Sequence, residues 1–182
     1  HDKSGWIRKH LNSKPGISLA NSEKKYTDKE SYLFMGKEYA LRKAMSADSF
    51  VRLIGDVIEV GQNDIDDRDK TKVLLERWYN QKARVLLADK LKEITGKYGN
   101  YNFSPAGLVV RSLKSRWGSC TSKGKITLNS ELIKLDEALI EYVITHELCH
   151  LRHHNHGTDY YKLLCELVPD YKSFRKELRK YI

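Results

Sequence analysis

Thr145-His146-Glu147-Leu148-Cys149-His150, followed by Leu151-Arg152-His153-His154-Asn155-His156, gathers metal-binding side chains into one short run. If the run is helical, His146 and His150 stand one turn apart on one face, where two imidazoles can converge on a single ion. Glu147 then lies about 100° round the helix, able to reach a water on that ion without ligating it. The flanking residues predict a helix from Asp136 to about His153. Asp136 is a candidate N-cap, and Glu137 and Glu141 set negative charge at the positive end of the helix dipole. Ile140, Ile144, Leu148 and Leu151 make one apolar face, while Leu139 and Val143 lead into the side that bears the histidines. A helix apolar on both sides belongs in the middle of a domain. Two histidines buried there without a metal would each need hydrogen-bond partners for both ring nitrogens.

Catalytic zinc usually takes three protein ligands and keeps a fourth position for water, so a third donor is needed. His153 shares the helical face but would sit about 10 Å along the axis from His146, too far for one tetrahedral ion. His156 can serve if the helix ends first, and Asn155 and Gly157 are best suited to the left-handed conformation that would end it. The His150-to-His156 spacing equals that of the second and third ligands in the metzincin pattern. His153, however, stands where that pattern has glycine, so the turn must be built differently. Cys149 reads as core packing rather than a ligand. Trp117 reads as core or cleft wall, His153 and His154 as surface residues or outer donors, and Tyr160 and Tyr161 as packing or as donors to a developing oxyanion. No Walker loop, dinucleotide glycine pattern or Gly-x-Ser-x-Gly nucleophile elbow competes with the metal reading.

His146-Glu147-Leu148-Cys149-His150-Leu151, Asn155-His156, Tyr160-Tyr161 and Pro169-Asp170-Tyr171 together resemble the YgjP-like metallopeptidase family, zinc-dependent hydrolases of the zincin class. Ser115-Arg116-Trp117-Gly118-Ser119-Cys120 and Ile126-Thr127-Leu128-Asn129 are similar to the same family, and matching segments run from about Trp6 onward. The resemblance implies Zn2+ on His146, His150 and His156, and Glu147 as the catalytic base. It also implies a peptide or protein substrate. The pair Tyr160-Tyr161 departs from the phenylalanine-led pair of the family, and this sequence begins almost at the segment around Trp6, ahead of which the family usually carries further strand-forming sequence.

The 182 residues, 40% hydrophobic, suffice for one domain with a core and a small N-terminal annex. Gly5 to Leu11 has Trp6, Ile7 and Leu11 at helical spacing, and Asn12 to Thr27 reads as an exposed connection. Short apolar runs at 32–35, 39–41, 50–53 and 57–60, broken at Gly36-Lys37, Asp48, Gly55-Asp56 and Gly61, predict a small antiparallel meander. Asp66 to Thr95 reads as the longest helix, with Leu75, Tyr79, Ala83, Leu86, Leu91 and Ile94 on its apolar arc. Residues 108–113 and 125–129 predict two strands of one sheet, with Ser122-Lys123-Gly124 as a turn between them. Two more helices are expected, from Thr158 to Val168, ended by Pro169, and from Asp170 to Ile182.

The expectation is therefore an α+β fold. Residues 1–65 form an N-terminal helix and β meander, and 66–182 a minimal zincin-like domain. That domain has a small mixed or antiparallel sheet, the His-Glu-x-x-His helix, a long backing helix and C-terminal helices. A sheet edge beside the metal would let an extended peptide pair with it. Thirty-three Lys and Arg against 24 Asp and Glu give a net charge of +9. The basic side of the last helix, Lys172, Arg175, Lys176, Arg179 and Lys180, is either a solvated face or a nucleic-acid surface. Alternatives to the peptidase are thus a SprT-like protease acting on DNA-bound proteins, or a basic nucleic-acid-binding module with a non-catalytic zinc site. Cys120, Cys149 and Cys165 form no C-x-x-C pair and no even disulfide framework, which points to the cytoplasm, and no apolar run reaches membrane-spanning length. No particular oligomeric state follows from these features.

Overall fold

A computed structural model describes residues 24–181. The expected helix at Gly5 to Leu11, most of the connection after it and the terminal Ile182 lie outside the described residues. Within them the fold is α+β, with two small mixed sheets and four α-helices.

The first sheet contains β1 (Ser31–Phe34), β2 (Lys37–Met45), β3 (Phe50–Ile54) and β4 (Val57–Gln62) in the order β1-β2-β4-β3. All four strands fall on the predicted apolar runs, but they do not form a meander. β4 lies between β2 and β3 and pairs parallel with β2. Burial differs accordingly. A meander would put β3 in the middle, yet β3 is the edge and leaves Leu53 and Ile54 exposed although it is the more apolar strand. Ile58 and Val60 of the central strand β4 are fully buried. Its one charged residue, Glu59, stands opposite both Arg42 and Arg52 in the strand register. Arg42 Nε donates to Oε1 at 3.0 Å and Arg52 Nε to Oε2 at 2.6 Å.

The other face of this sheet packs on α1 (Arg68–Lys97). Asp67 caps that helix by accepting from Lys70 N at 2.8 Å. Phe34 lies 5.0 Å from the Trp78 ring, and Tyr79 donates its hydroxyl to the Leu33 carbonyl at 2.7 Å. The buried side of α1 follows the predicted arc with two changes: Leu87 rather than Leu86 is fully buried, and Trp78 joins it.

The second sheet contains β5 (Gly107–Arg111), β6 (Gly118–Cys120) and β7 (Lys125–Asn129) in the order β5-β7-β6. Residues 108–113 and 125–129 do share a sheet, but β5 and β7 pair parallel, and the turn at Ser122-Lys123-Gly124 joins β7 to the short strand β6 instead. Asn129 closes the arrangement. Its amide donates to the carbonyls of Leu113 and Arg116, tying down the loop between β5 and β6.

A 3-10 turn, Ser130–Lys134, then leads into α2 (Glu137–Cys149). Its Ile133 and Lys134 carbonyls accept from Met35 N and Gly36 N, so the β1–β2 turn is pinned to the start of α2. Gly36 has φ +71°, and a Cβ there would fall 1.9 Å from Asp136 Oδ1. Asp136 occupies the N-cap position of α2 without a side-chain capping bond; instead its main-chain carbonyl accepts from Leu139 N and Ile140 N. Lys90 of α1 pairs with Glu137 and Glu141 of α2, adding an interhelical tie to their place at the dipole's positive end. The chain continues through α3 (Thr158–Leu167) and α4 (Tyr171–Leu178), which a 3-10 turn follows at Arg179–Tyr181. Among the described residues no helix is long and apolar enough to cross a membrane.

Two outcomes follow. Gly36→Ala must adopt a left-handed conformation and displace Asp136, and is expected to lose roughly 1–3 kcal/mol in urea unfolding; an unchanged midpoint would contradict the contact. Arg52 and then Arg42, by hydrogen bonding, hold the Glu59 carboxyl below its usual range. A folded-state pKa below the unfolded one stabilises fully above the unfolded value and fades as pH falls through the folded one. Wild type and Glu59→Gln should therefore differ in unfolding midpoint at neutral pH and converge in acid, and a gap independent of pH would contradict the pairing.

Candidate metal centre

His146 projects from the last turn of α2 and His150 from its C-cap, and the helix is buried along nearly its whole circumference. Ile140, Ile144 and Leu148 fill the core side, and Leu139 and Val143 are buried too, as the two-sided apolar pattern predicts. The helix stops at Cys149, four residues short of the predicted end. Arg152 N and His153 N both bond to the Cys149 carbonyl, and the chain doubles back to bring up His156. The predicted left-handed stop is not used. Neither Asn155 nor Gly157 has a positive φ, and Gly157 is extended at φ −83° and ψ −173°. The carbonyls at the end of α2 find their donors within the turn itself.

One ligand atom from each of His146, His150 and His156 lies within 4.8 Å of the others. His146 Nε2 and His156 Nε2 are 3.2 Å apart. Two nitrogens on one tetrahedral zinc, each at 2.0–2.1 Å, stand about 3.4 Å from each other, so this separation suits a shared ion. His150 Nδ1 lies 3.1 Å from the His153 carbonyl. That oxygen can only accept, so Nδ1 carries the proton and Nε2 keeps its lone pair. His153 thus enters the site through its backbone, not its ring. Burial, reinforced by His150, His156 and Arg175, pushes His146 down to about 3, and burial lowers His150 and His156 as well. Neutral imidazole is the ligating form.

Glu147 is buried beside the triad, at 4% exposure, and its Oε2 has no hydrogen-bond partner among the described residues. Burial pushes its carboxyl up to about 8, with Arg116 acting the other way. Three neutral imidazoles and a buried carboxyl with a spare oxygen form a donor set that suits a divalent cation, whose charge would favour the carboxylate. The carboxyl fits because β6 offers no side chain at its nearest point. A Cβ on Gly118 would lie 2.6 Å from Glu147 Oε1 and 2.9 Å from Cγ and Cδ.

Tyr160 of α3 is fully buried beneath the histidines, its ring centre 4.6 to 5.3 Å from each of theirs. Its hydroxyl donates to the His146 carbonyl at 3.1 Å, which resolves the choice for Tyr160 in favour of packing. Tyr161 stacks between His156 and Tyr171. Cys149 is buried outside the donor group, and Trp117 is half-buried against the core. A separate cleft of about 140 Å³ runs along Ala138, Glu141, Tyr142 and Thr145 of α2, and Tyr142 also meets His146 edge-on. Gly118, Arg116 and Arg175 are neighbours to which the sequence gives no part in the site. The first two stand within the run Ser115 to Cys120, and the third among the basic residues of the last helix.

An α+β frame presenting a His-Glu-x-x-His helix and a third histidine has the form of a metal-dependent hydrolase. The chain belongs to the YgjP-like family: the family model described as "YgjP-like, metallopeptidase domain" matches residues 1–181. It is accordingly a metallopeptidase. Among solved structures, the metallopeptidase zymogen jannalysin of Methanocaldococcus jannaschii is 23% identical, with a TM-score of 0.44 over 52% of this chain and 94% of that one. The zymogen abylysin of Pyrococcus abyssi is 21% identical, with a TM-score of 0.45 over 50% of this chain and 90% of that one. No curated protein matches.

Gly118→Ala is expected to swing the Glu147 carboxylate off its present position while leaving the three histidines in place. A crystal structure of the variant reads this directly, and an unmoved carboxylate would show that β6 has slack.

Proposed function

We propose that this chain is a zinc-dependent peptidase in which His146, His150 and His156 hold Zn2+ and Glu147 is the general base. The observation that carries the reading is the convergence of three imidazole nitrogens within 4.8 Å beside a buried carboxyl. Zinc held there would supply Lewis acidity, lowering the pKa of a water to about 7 and polarising the scissile carbonyl. Glu147 takes a proton from the attacking water and returns it to the leaving amine. Its Oε2 is free of other hydrogen bonds among the described residues, so it has an acceptor to spare for that proton. Tyr160 keeps the histidine rings from turning, and its hydroxyl fixes the backbone at His146.

The peptide nature of the substrate has a further support in the second sheet. β6 is an edge strand that pairs only with β7 among the described strands, and Gly118 of β6 is the residue against Glu147. An extended peptide laid along the outer side of β6 would bond to its main chain and pass beside the base. We assign the chemistry to residues 66–182, with 1–65 as an annex. The cysteine spacing supports a cytoplasmic setting.

Glu147→Gln keeps the size of the side chain and removes the base. It should bind zinc as wild type does and lose roughly 10²- to 10⁴-fold in peptide turnover. Near-normal turnover in that variant would show that another group takes the proton.

A further inference from the structure

Arg175 lies on α4, next to Phe174 and one helical turn beyond Tyr171. Two aromatic ladders join these neighbours to the histidines. Phe174 stacks on Tyr142 with ring centres 5.7 Å apart, and Tyr142 meets His146 edge-on at 6.1 Å. Tyr171 stacks on Tyr161 at 5.8 Å, and Tyr161 stacks on His156 at 6.0 Å. Residues three and four apart on a helix share a face, so Arg175 is carried on the flank of α4 turned toward His146 and His156. Its positive charge accordingly bears on His146, His156 and Tyr142. Glu147, on the opposite side, feels Arg116 instead. Arg175 is exposed, and its guanidinium has no hydrogen bond or ion pair with any described residue. The acid within a turn of it, Glu177, pairs with Lys180 at 2.6 Å.

On the reading that this site cleaves peptides, we propose that Arg175 is a specificity-determining residue that binds a carboxylate of the substrate, selecting peptides with negative charge beside the scissile bond. A guanidinium is the side chain best shaped to grip a carboxylate with two parallel hydrogen bonds. The competing role, holding the oxyanion of the transition state, needs donors fixed in advance by their surroundings. Arg175 has no such restraint among the described residues, and an exposed, unpaired guanidinium suits capture of a charged group better. The net charge of +9 acts in the same direction, steering acidic peptides toward the protein.

The carboxylate can be a Glu or Asp side chain or the peptide's own C-terminus, and titration of the full chain separates these. Glu147→Gln, loaded with zinc and its metal content measured, is titrated by calorimetry with alanine-based peptides. They differ in a single Glu, Gln or Lys and in a free or amidated C-terminus. The same set is run on Glu147→Gln combined with Arg175→Gln, Arg175→Lys or Arg175→Glu. A charge-assisted pair predicts about tenfold tighter binding of one carboxylate-bearing peptide over its neutral partner. Arg175→Gln should abolish that preference at equal zinc content, Arg175→Lys should retain part of it, and Arg175→Glu should transfer it to a Lys-bearing peptide. Whichever of the Glu or free-terminus peptides gains identifies the source of the carboxylate. The proposal is overturned if Arg175→Gln keeps the preference. It is also overturned if the parent shows none, including the case in which Arg175→Gln lowers turnover of the active enzyme at unchanged affinity, the signature of an oxyanion donor. A parent without zinc that still discriminates, and loses discrimination with Arg175→Gln, sustains the arginine's role while the metal reading fails.

Discussion

Three imidazoles and one carboxyl must share a small volume at the end of a buried helix, and the rest of the architecture answers to that constraint. His146 and His150 are neighbours by helical periodicity alone. His156 joins them only because α2 stops one residue before His150 and the chain turns back within six residues. The fully buried ring of Tyr160 then closes the space beneath all three. Each of these features restricts motion of a potential ligand, and rigid placement is what lets a metal bind without first ordering its own site.

Burial governs the electrostatics as well. Removing histidines from water disfavours their charged form, and removing a carboxyl disfavours its ionised form. Both displacements occur here, with His146 pushed down to about 3 and Glu147 up to about 8. The two glycine contacts serve the same placement. Gly36 lets the first sheet abut Asp136 at the start of α2, and Gly118 lets the second sheet abut Glu147 near its end. A methyl group at either position would push on the helix that carries the site.

Much of this was legible in the sequence, and what was not has definable causes. The histidine pair, Glu147 and the two-sided burial of α2 follow from a period of 3.6 residues, which is local information. The long helix and the strands of the first sheet are likewise local patterns, and the placement of each was found to within a few residues. Strand order is not local. The parallel pairings of β2 with β4 and of β5 with β7 join segments that are not consecutive in the chain, and no local period selects which strands become neighbours. Strand β6 escaped because Gly118-Ser119-Cys120 is too short to show alternation and its purpose is contact with Glu147. Arg175 escaped among a run of basic residues, since nothing in their spacing distinguishes the one that aromatic stacking on Tyr142 and Tyr161 brings toward the histidines. Spacing points to His156, and the turn that brings it beside His146 and His150 needs no left-handed residue.

The central claim is that three histidines bind one metal ion. Elemental analysis of the purified protein and of His156→Ala, each after zinc loading at neutral pH and exhaustive dialysis, tests it most directly. The account predicts about one zinc per chain in the wild type and a sharp fall in the variant, because two histidines alone leave the ion short of a protein ligand. The same ratio in both proteins, or no zinc in either, would contradict it.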